Sequence, residues 1–263
     1  MRVSAVVVAG LLLASTAGCG KGSPPPEQHA PSQTPTATTM TAAPVPPDAR
    51  IGALFLGAGD LHTCTAGVLD SKGGDLVVTA AHCVAQDVDT TFVAGFSDTA
   101  DPADVWRVDA IYLDPRWVQN QDPLADFAIL RVARDSGGTV EAQAGGGLTI
   151  GPAPKSGTEV TVTGYGLGVG GGPVGCTTAT ELAPGGFPSL PCSGLVDGTS
   201  GAPWTTGTTA GTIVGLVGGL DGGGCDENTS YSPPFDDAVV ALLARAEAGG
   251  PADTAPAVFD DDC

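Results

Sequence analysis

The sequence predicts an all-β protein closed by one C-terminal helix, and three observations lead there. Forty glycines and 22 prolines are too many chain breakers for a helical bundle and suit many short strands joined by turns. Short β-branched or apolar runs recur, most of them bounded by Gly, Pro or Asp. Only one stretch, near the C-terminus, spaces its apolar residues as a helix does. With 42% hydrophobic and 15% charged residues, the chain has material for a core and lacks the composition of a disordered polymer.

Taken in order, the strand-like runs are residues 51–56 (Ile-Gly-Ala-Leu-Phe-Leu), 75–80, 127–132, 159–164 and 212–217. The helical run begins at Pro234-Phe-Asp-Asp and continues to about residue 247. It has acids in its first turn and Arg245 near its end, an arrangement that complements the helix dipole. Residues 20–50 are rich in Pro, Thr, Ser and Ala without apolar periodicity. Such a segment cannot offset its ordering entropy by burial, so it reads as a disordered tether. Residues 248–263 read as a low-complexity, acidic tail ending in Cys263. The folded part is therefore expected over about residues 51–247.

The first 19 residues belong to a different problem. Arg2 precedes an apolar run from Val3 to Ala14, too short to span a bilayer stably. Small residues then lead to Cys19, a pattern that resembles a bacterial lipobox, although Thr16 stands where a leucine or a similar residue is usual. Residues 1–19 are thus expected to be a lipoprotein signal peptide, with Cys19 lipidated and the protein exported to the cell surface or beyond. Cysteine arithmetic agrees. Of seven cysteines, assigning Cys19 to lipid leaves Cys64, Cys83, Cys176, Cys192, Cys225 and Cys263, an even set that suits three disulfides in an oxidising compartment. With no Cys-x-x-Cys pair and few histidines, no metal site is expected.

Charge excludes some functions. Ten basic against 29 acidic residues give a net charge of -19. Nucleic acid and anionic lipid would be repelled. The expected contact with a membrane is only through Cys19.

The chemistry rests on three residues. Of three histidines, His29 lies in the tether, leaving His62 and His82 for any imidazole catalysis. His82 follows a strand-like run and adjoins Cys83, whose disulfide would hold the backbone beside the imidazole. Asp126 opens Asp-Phe-Ala-Ile-Leu, where a carboxylate at the mouth of an apolar strand can orient an imidazole and stabilise its charged form. Asp122, its neighbour, precedes Pro123 in a polar turn and lacks the adjoining strand. Ser200 lies in Asp197-Gly-Thr-Ser-Gly-Ala-Pro-Trp, whose glycines allow a tight turn that aims the Gly198 and Ser200 amides at one point, as an oxyanion hole needs. The order His, Asp, Ser also excludes the α/β-hydrolase arrangement, in which the histidine comes last and the nucleophile sits in Gly-x-Ser-x-Gly.

These motifs resemble those of the trypsin/chymotrypsin-like serine peptidases, most closely the secreted bacterial members. Thr79-Ala-Ala-His-Cys83 matches the family's histidine motif, Asp126-Phe-Ala-Ile-Leu130 its aspartate motif, and Gly198-Thr-Ser-Gly-Ala-Pro203 its serine motif. Gly164-Tyr-Gly166 is similar to a Gly-aromatic-Gly turn early in the second barrel, and His62-Thr-Cys64 to the family's His-x-Cys. The resemblance implies two packed six-stranded antiparallel β-barrels, over about residues 51–145 and 146–234, with the triad His82, Asp126 and Ser200 between them. It further implies a Cys64–Cys83 disulfide, a structural His62, and Gly218, Gly219 and Leu220 along a substrate-binding stretch. Gly194 falls near the base of the primary pocket, where it supplies no fixed charge, while Asp197, Asp221 and Asp226 bring acidity nearby. Cys192 has Cys176 or Cys225 as its partner, leaving Cys263 for a remaining cysteine.

Thr199 departs from the family. It stands where animal members carry an aspartate that pairs with a new N-terminus after zymogen cleavage, so cutting at Arg50-Ile51 is not expected to activate the chain. The implied function is a monomeric, cofactor-free endopeptidase acting on polypeptide through an acyl-enzyme. The alternatives are a cell-surface binding module with little turnover and an esterase on the same scaffold.

Overall fold

A computed structural model describes residues 40–207, 211–225 and 228–257. The strands in chain order are β1 (Met40–Thr41), β2 (Ala43–Pro44), β3 (Ile51–Leu56), β4 (Leu61–Val68), β5 (Leu76–Thr79), β6 (Thr90–Ala94), β7 (Val105–Leu113), β8 (Ala128–Ala133) and β9 (Thr149–Ile150). They continue with β10 (Glu159–Gly164), β11 (Gly168–Val169), β12 (Val174–Ala179), β13 (Glu181–Leu182), β14 (Pro188–Leu190), β15 (Cys192–Ser193), β16 (Pro203–Thr206), β17 (Thr212–Leu216) and β18 (Ser230–Tyr231). The helices are α1 (Pro115–Asn120), α2 (Val140–Ala144) and α3 (Asp237–Glu247).

The first half is a closed six-stranded barrel. Strands run in the order β4, β3, β6, β7, β8, β5, and β5 pairs back with β4 to complete the ring. Leu54, Ala66, Val68, Leu76, Phe92, Ile129 and Leu130 of its strands are fully buried. β3, β5 and β8 are buried along almost their whole length, which is why they read in the sequence as continuous apolar runs and not as alternating ones.

The second half is a second sheet system. Its main sheet has the order β2, β12, β10, β16, β17, β9, and β17 pairs with β9 in parallel. A separate three-stranded sheet, β13, β14, β18, and the parallel pair β1, β15 complete this part. The breaks fall where the sequence is richest in turn formers: Pro184-Gly-Gly-Phe-Pro188 separates β13 from β14, and the Gly222-Gly-Gly224 run lies between β17 and β18. Val160, Val162, Leu190, Trp204 and Val217 form a second core of their own.

Both ends of the folded part extend beyond their expected limits. β1 pairs with β15 and β2 with β12, so residues 40–50 are sheet and turn where a tether is expected. Met40-Thr-Ala-Ala-Pro44 shows no apolar pattern because it adds edge pairing by backbone bonds. At the other end, residues 250–256 fold back on the barrel. The Asp253 amide donates to the Ile111 carbonyl and the Gln86 amide to the Pro256 carbonyl, at 2.8 and 3.0 Å, and Ala255 is buried. The Asp253 carboxylate takes an ion pair from Arg245 and a hydrogen bond from the Leu113 amide. Helix α3 starts where the Asp236 carboxylate caps the Ala238 amide at 2.8 Å, and buries Val239, Leu242 and Ala246 in the barrel's core. No helix among the described residues is long and apolar enough to cross a membrane. Cys19, the apolar run before it, Asp226 and Cys263 lie outside the described residues.

Candidate active site

Strand register brings His82 and Asp126 together. β5 and β8 pair antiparallel with Thr79 opposite Ala128, so three residues past the end of one strand and two before the start of the other meet at the same rim. His82 sits on a single 3-10 turn, Ala81–Cys83. The Cys64–Cys83 disulfide ties that turn to β4. Asp126 follows a second 3-10 turn, Pro123–Ala125, which Asp122 caps by accepting the Leu124 amide at 3.0 Å. The two neighbouring acids thereby divide their work: Asp122 holds the turn, and Asp126 faces the imidazole.

Asp126 is fully buried. Its Oδ1 accepts the His82 amide at 2.9 Å, and its Oδ2 accepts the His82 Nδ1–H at 2.7 Å and the Gly219 amide at 2.8 Å. Burial alone would push the carboxyl upward. The His82 charge and these three hydrogen bonds outweigh it and hold Asp126 below the usual carboxylate range. With Nδ1 donating to Asp126, the other ring nitrogen of a neutral His82 is left to accept a proton.

Ser200 arrives from the other half of the fold on the loop between β15 and β16. The Ser200 carbonyl accepts the Thr65 amide of β4 at 2.8 Å. Gly201 has φ +80°, and a Cβ there would stand 2.1 Å from Thr79 Oγ1 and 2.3 Å from the Thr65 carbonyl oxygen. Only a glycine lets this loop press against β4 and β5.

Two peptide planes in the serine loop are pinned. The Asp197 carbonyl accepts the Leu167 amide at 2.6 Å, and the Thr199 carbonyl accepts the Ala202 amide at 2.9 Å. In a trans peptide the N–H points opposite to the C=O, so each bond fixes the direction of the next amide, that of Gly198 and that of Ser200. The Gly198 carbonyl is held in turn by Thr65 Oγ1 at 3.1 Å. Gly198 itself has φ +88°, and a Cβ would meet the Leu167 nitrogen at 2.1 Å. Thr199 is buried, and its hydroxyl donates to the Val196 carbonyl at 2.8 Å.

Two cavities flank the serine. The larger, about 580 Å³, has Leu195, Val217, Thr199, Ser200 and the Gly222–Gly224 backbone in its walls, with Asp197 and Asp221 also lining it. The smaller, about 220 Å³, is lined by His82, Gly198 and Ser200 together with Leu56, Leu167 and the Cys64–Cys83 disulfide. Ser200 and His82 therefore share one cavity wall.

Gly194, Gly218, Gly219 and Leu220, expected along the substrate, are not among the residues lining either cavity. Gly194, with φ +83°, sits beside Ala42, and Leu195 takes the place on the cavity wall. Gly218, Gly219 and Leu220 line neither cavity. β17 ends at Leu216, Gly219 adopts φ +82°, and residues 220–223 form a 3-10 turn. The Gly218 amide goes to the Tyr231 carbonyl and the Gly219 amide to Asp126.

His62 is buried among Phe55, Phe96 and Tyr165, with Nε2–H donating to the Gly170 carbonyl at 2.9 Å. Cys176 pairs with Cys192. Cys225 is disulfide-bonded, with its partner outside the described residues. Among the described residues, Cys64, His82 and Cys83 are close enough to hold a metal ion, but both sulfurs are tied in a disulfide.

The sequence reading did not single out Leu167, Thr65 or Leu56, nor the Gly219 amide as a partner of Asp126. One signal was present: Leu167 is a large apolar residue directly after the Gly164-Tyr-Gly166 turn, in a stretch of glycines.

A family model described as the trypsin-like peptidase domain matches residues 64–216. The chain belongs to the trypsin-like peptidase family. The match begins at the first disulfide cysteine and ends with β17, so it contains all three residues of the predicted triad. No curated protein sequence matches the chain. Among solved structures, the protease Anisep from Arthrobacter nicotinovorans is similar at 21% identity and TM-score 0.68, covering 79% of this chain and 100% of its own. A thermostable serine protease, AL20, from an extremophilic microorganism aligns at 20% identity and TM-score 0.65, over 76% and 98%. Human heparin binding protein aligns at 15% identity and TM-score 0.57, over 78% and 96%. At these identities the neighbours establish the trypsin-like fold, and the reaction has to be argued from the residues.

Proposed function

We propose that this chain is a serine endopeptidase, with Ser200 as nucleophile, His82 as base and then acid, and Asp126 as the group that orients the imidazole. The single observation that supports this best is the buried Asp126 carboxylate bonded to His82 Nδ1 at 2.7 Å, on a cavity whose wall also holds Ser200. His82 takes the Ser200 proton as Oγ attacks the scissile carbonyl carbon. The imidazolium that forms faces a carboxylate held ionised by its surroundings. The tetrahedral oxyanion is received by the Gly198 and Ser200 amides, each losing about 3–4 kcal/mol of transition-state stabilisation if removed. Collapse expels the amine, which takes its proton from His82, and leaves acyl-Ser200 for water to hydrolyse.

The substrate of this reading is a polypeptide. Asp197 and Asp221 on the larger cavity, in a protein of net charge -19, favour its cationic segments. Two disulfides support an oxidising, extracytoplasmic location, and the lipobox-like residues before Cys19 support a lipid anchor.

The test is to label the protein with a fluorophosphonate and assay casein and a peptide library, with Ser200→Ala as control. Labelling and peptide cleavage, both lost in Ser200→Ala, are expected. Labelling with ester turnover alone would replace the peptidase by an esterase. No labelling under any condition would reject both enzymes in favour of a binding module.

A further inference from the structure

Cys225 stands on the wall of the larger cavity, together with Ser200, Asp197 and Asp221, and it is disulfide-bonded. The chain has seven cysteines. Cys64 pairs with Cys83 and Cys176 with Cys192, so the partner of Cys225 is Cys19 or Cys263. Both lie outside the described residues. A lipid on the Cys19 sulfur leaves no thiol there to bond.

From these constraints we infer that Cys225 is bonded to Cys263, and that residues 257–263 form a strap over the mouth of the larger cavity, which admits small substrates and holds back large polypeptides. The effect on substrates rests on the serine-peptidase reading; the bond does not. The chain approaches from the His82 side. The Gln86 amide, four residues past His82, donates to the Pro256 carbonyl at 3.0 Å, and Ala255 is buried. His82 lines only the smaller cavity, Cys225 only the larger, and Ser200 lines both. The seven residues from Pro256 to Cys263 span at most about 25 Å. A path that short, from one flank of Ser200 to the other, passes over the opening between them.

Charge shows what holds the strap in place. It carries Asp260, Asp261 and Asp262, and Asp197 and Asp221 already line the cavity. Like charges repel, so these carboxylates do not gather by affinity, and the covalent bond keeps them there. Forming it takes two protons and two electrons from the Cys225 and Cys263 thiols, which pass to a disulfide oxidant of the compartment as that oxidant becomes a dithiol. A segment fixed at both ends is present at its site at an effective concentration on the order of millimolar. A polypeptide at about a tenth of that concentration is held back roughly tenfold, whereas a ligand small enough to pass the strap is not.

The test begins with the bond. The full-length, oxidised protein is digested without reduction and its peptides are mapped by mass spectrometry. A Cys225 peptide linked to the Cys263 peptide is expected, and a link to Cys19 overturns the inference. Casein and a small chromogenic ester are then compared in wild type, in Cys263→Ser and in a chain ended after Ala257. Both changes should raise casein kcat/KM about tenfold and leave ester kcat/KM within about twofold. The triple variant Asp260→Asn, Asp261→Asn, Asp262→Asn keeps the bond and should keep the restriction on casein. Unchanged casein turnover in both unbonded forms overturns the strap. So does a rise in the triple variant equal to that in Cys263→Ser, which would make the barrier one of charge alone. Fluorophosphonate labelling separates the two readings: a labelled enzyme indifferent to the strap overturns this inference alone, and no labelling in any form overturns the peptidase reading and the effect on substrates with it.

Discussion

Gly218 supports Asp126 from below, and replacing it tests how tightly that carboxylate must be held. A Cβ at Gly218 would lie 2.9 Å from Asp126 Oδ2, 3.0 Å from Leu216 Cδ1 and 3.3 Å from Ala80 Cβ. The Gly218 backbone is outside the left-handed region, so alanine carries no backbone strain and acts through that contact. A carbon–oxygen approach of 2.9 Å is too close, and the movable partner is the carboxylate. Its Oδ2 already takes His82 Nδ1 at 2.7 Å and the Gly219 amide at 2.8 Å. A displacement of a few tenths of an ångström weakens one of these. A hydrogen bond to a charged group contributes about 1.5–3 kcal/mol, so Gly218→Ala is expected to lower kcat about 10- to 150-fold. Because Gly218 lines neither cavity, KM should stay within about twofold. Steady-state kinetics on a chromogenic peptide gives both constants, and thermal unfolding checks the fold. Gly172→Ala, where nothing lies within 4 Å of the added carbon, serves as the neutral control. A Gly218→Ala enzyme with wild-type kcat would refute the idea that Asp126 acts through a fixed position.

Four further outcomes are expected. Asp126→Asn should cost about 10⁴-fold in kcat, the loss typical when the carboxylate of such a triad becomes an amide that favours the wrong imidazole tautomer. Asp126 also sets a pH dependence of stability. Its folded pKa is lowered, so its contribution is present above the unfolded value of about 3.9 and is lost as pH falls through the folded value; denaturant unfolding should show wild type losing stability relative to Asp126→Asn on acidification, and a gap constant down to the acid limit would contradict this. Cutting after Arg50 should leave activity unchanged, because Thr199 offers a new ammonium only a hydroxyl already bonded to Val196; a large rise on cleavage would show that an activation site exists. Asp253→Ala removes the partner of Arg245 and of the Leu113 amide, and should lower Tm by about 5 °C in a thermal melt, whereas an unchanged Tm would mean that residues 250–256 add nothing to the fold.

How much of this site was legible in the sequence depends on how each residue is placed. His82 and Asp126 each sit within three residues of a continuously buried strand, and the pairing of those strands, with Thr79 opposite Ala128, delivers them to one another. Local text was enough for both. Ser200 was legible for a different reason: Gly198 and Gly201 are demanded by close approaches of 2.1 Å to Leu167 and Thr79, and a demand of that kind leaves glycines in the sequence. What escaped the reading is held by backbone groups, which any residue supplies. The Gly219 amide on Asp126, the Leu167 amide on Asp197, the pairing of residues 40–44 and the docking of 250–256 all join segments far apart in sequence, and none imposes a residue type at both ends. The turn over residues 220–223 was hidden for the same reason. A glycine-rich stretch after β17 reads equally as an extended edge or as a turn, and the Gly219 amide, bonded to a carboxylate 93 residues away, decides for the turn. That bond closes the chain over Asp126, whose Oδ2 it shares with His82 Nδ1. The Gly218→Ala measurement therefore reads how closely this turn holds the carboxylate.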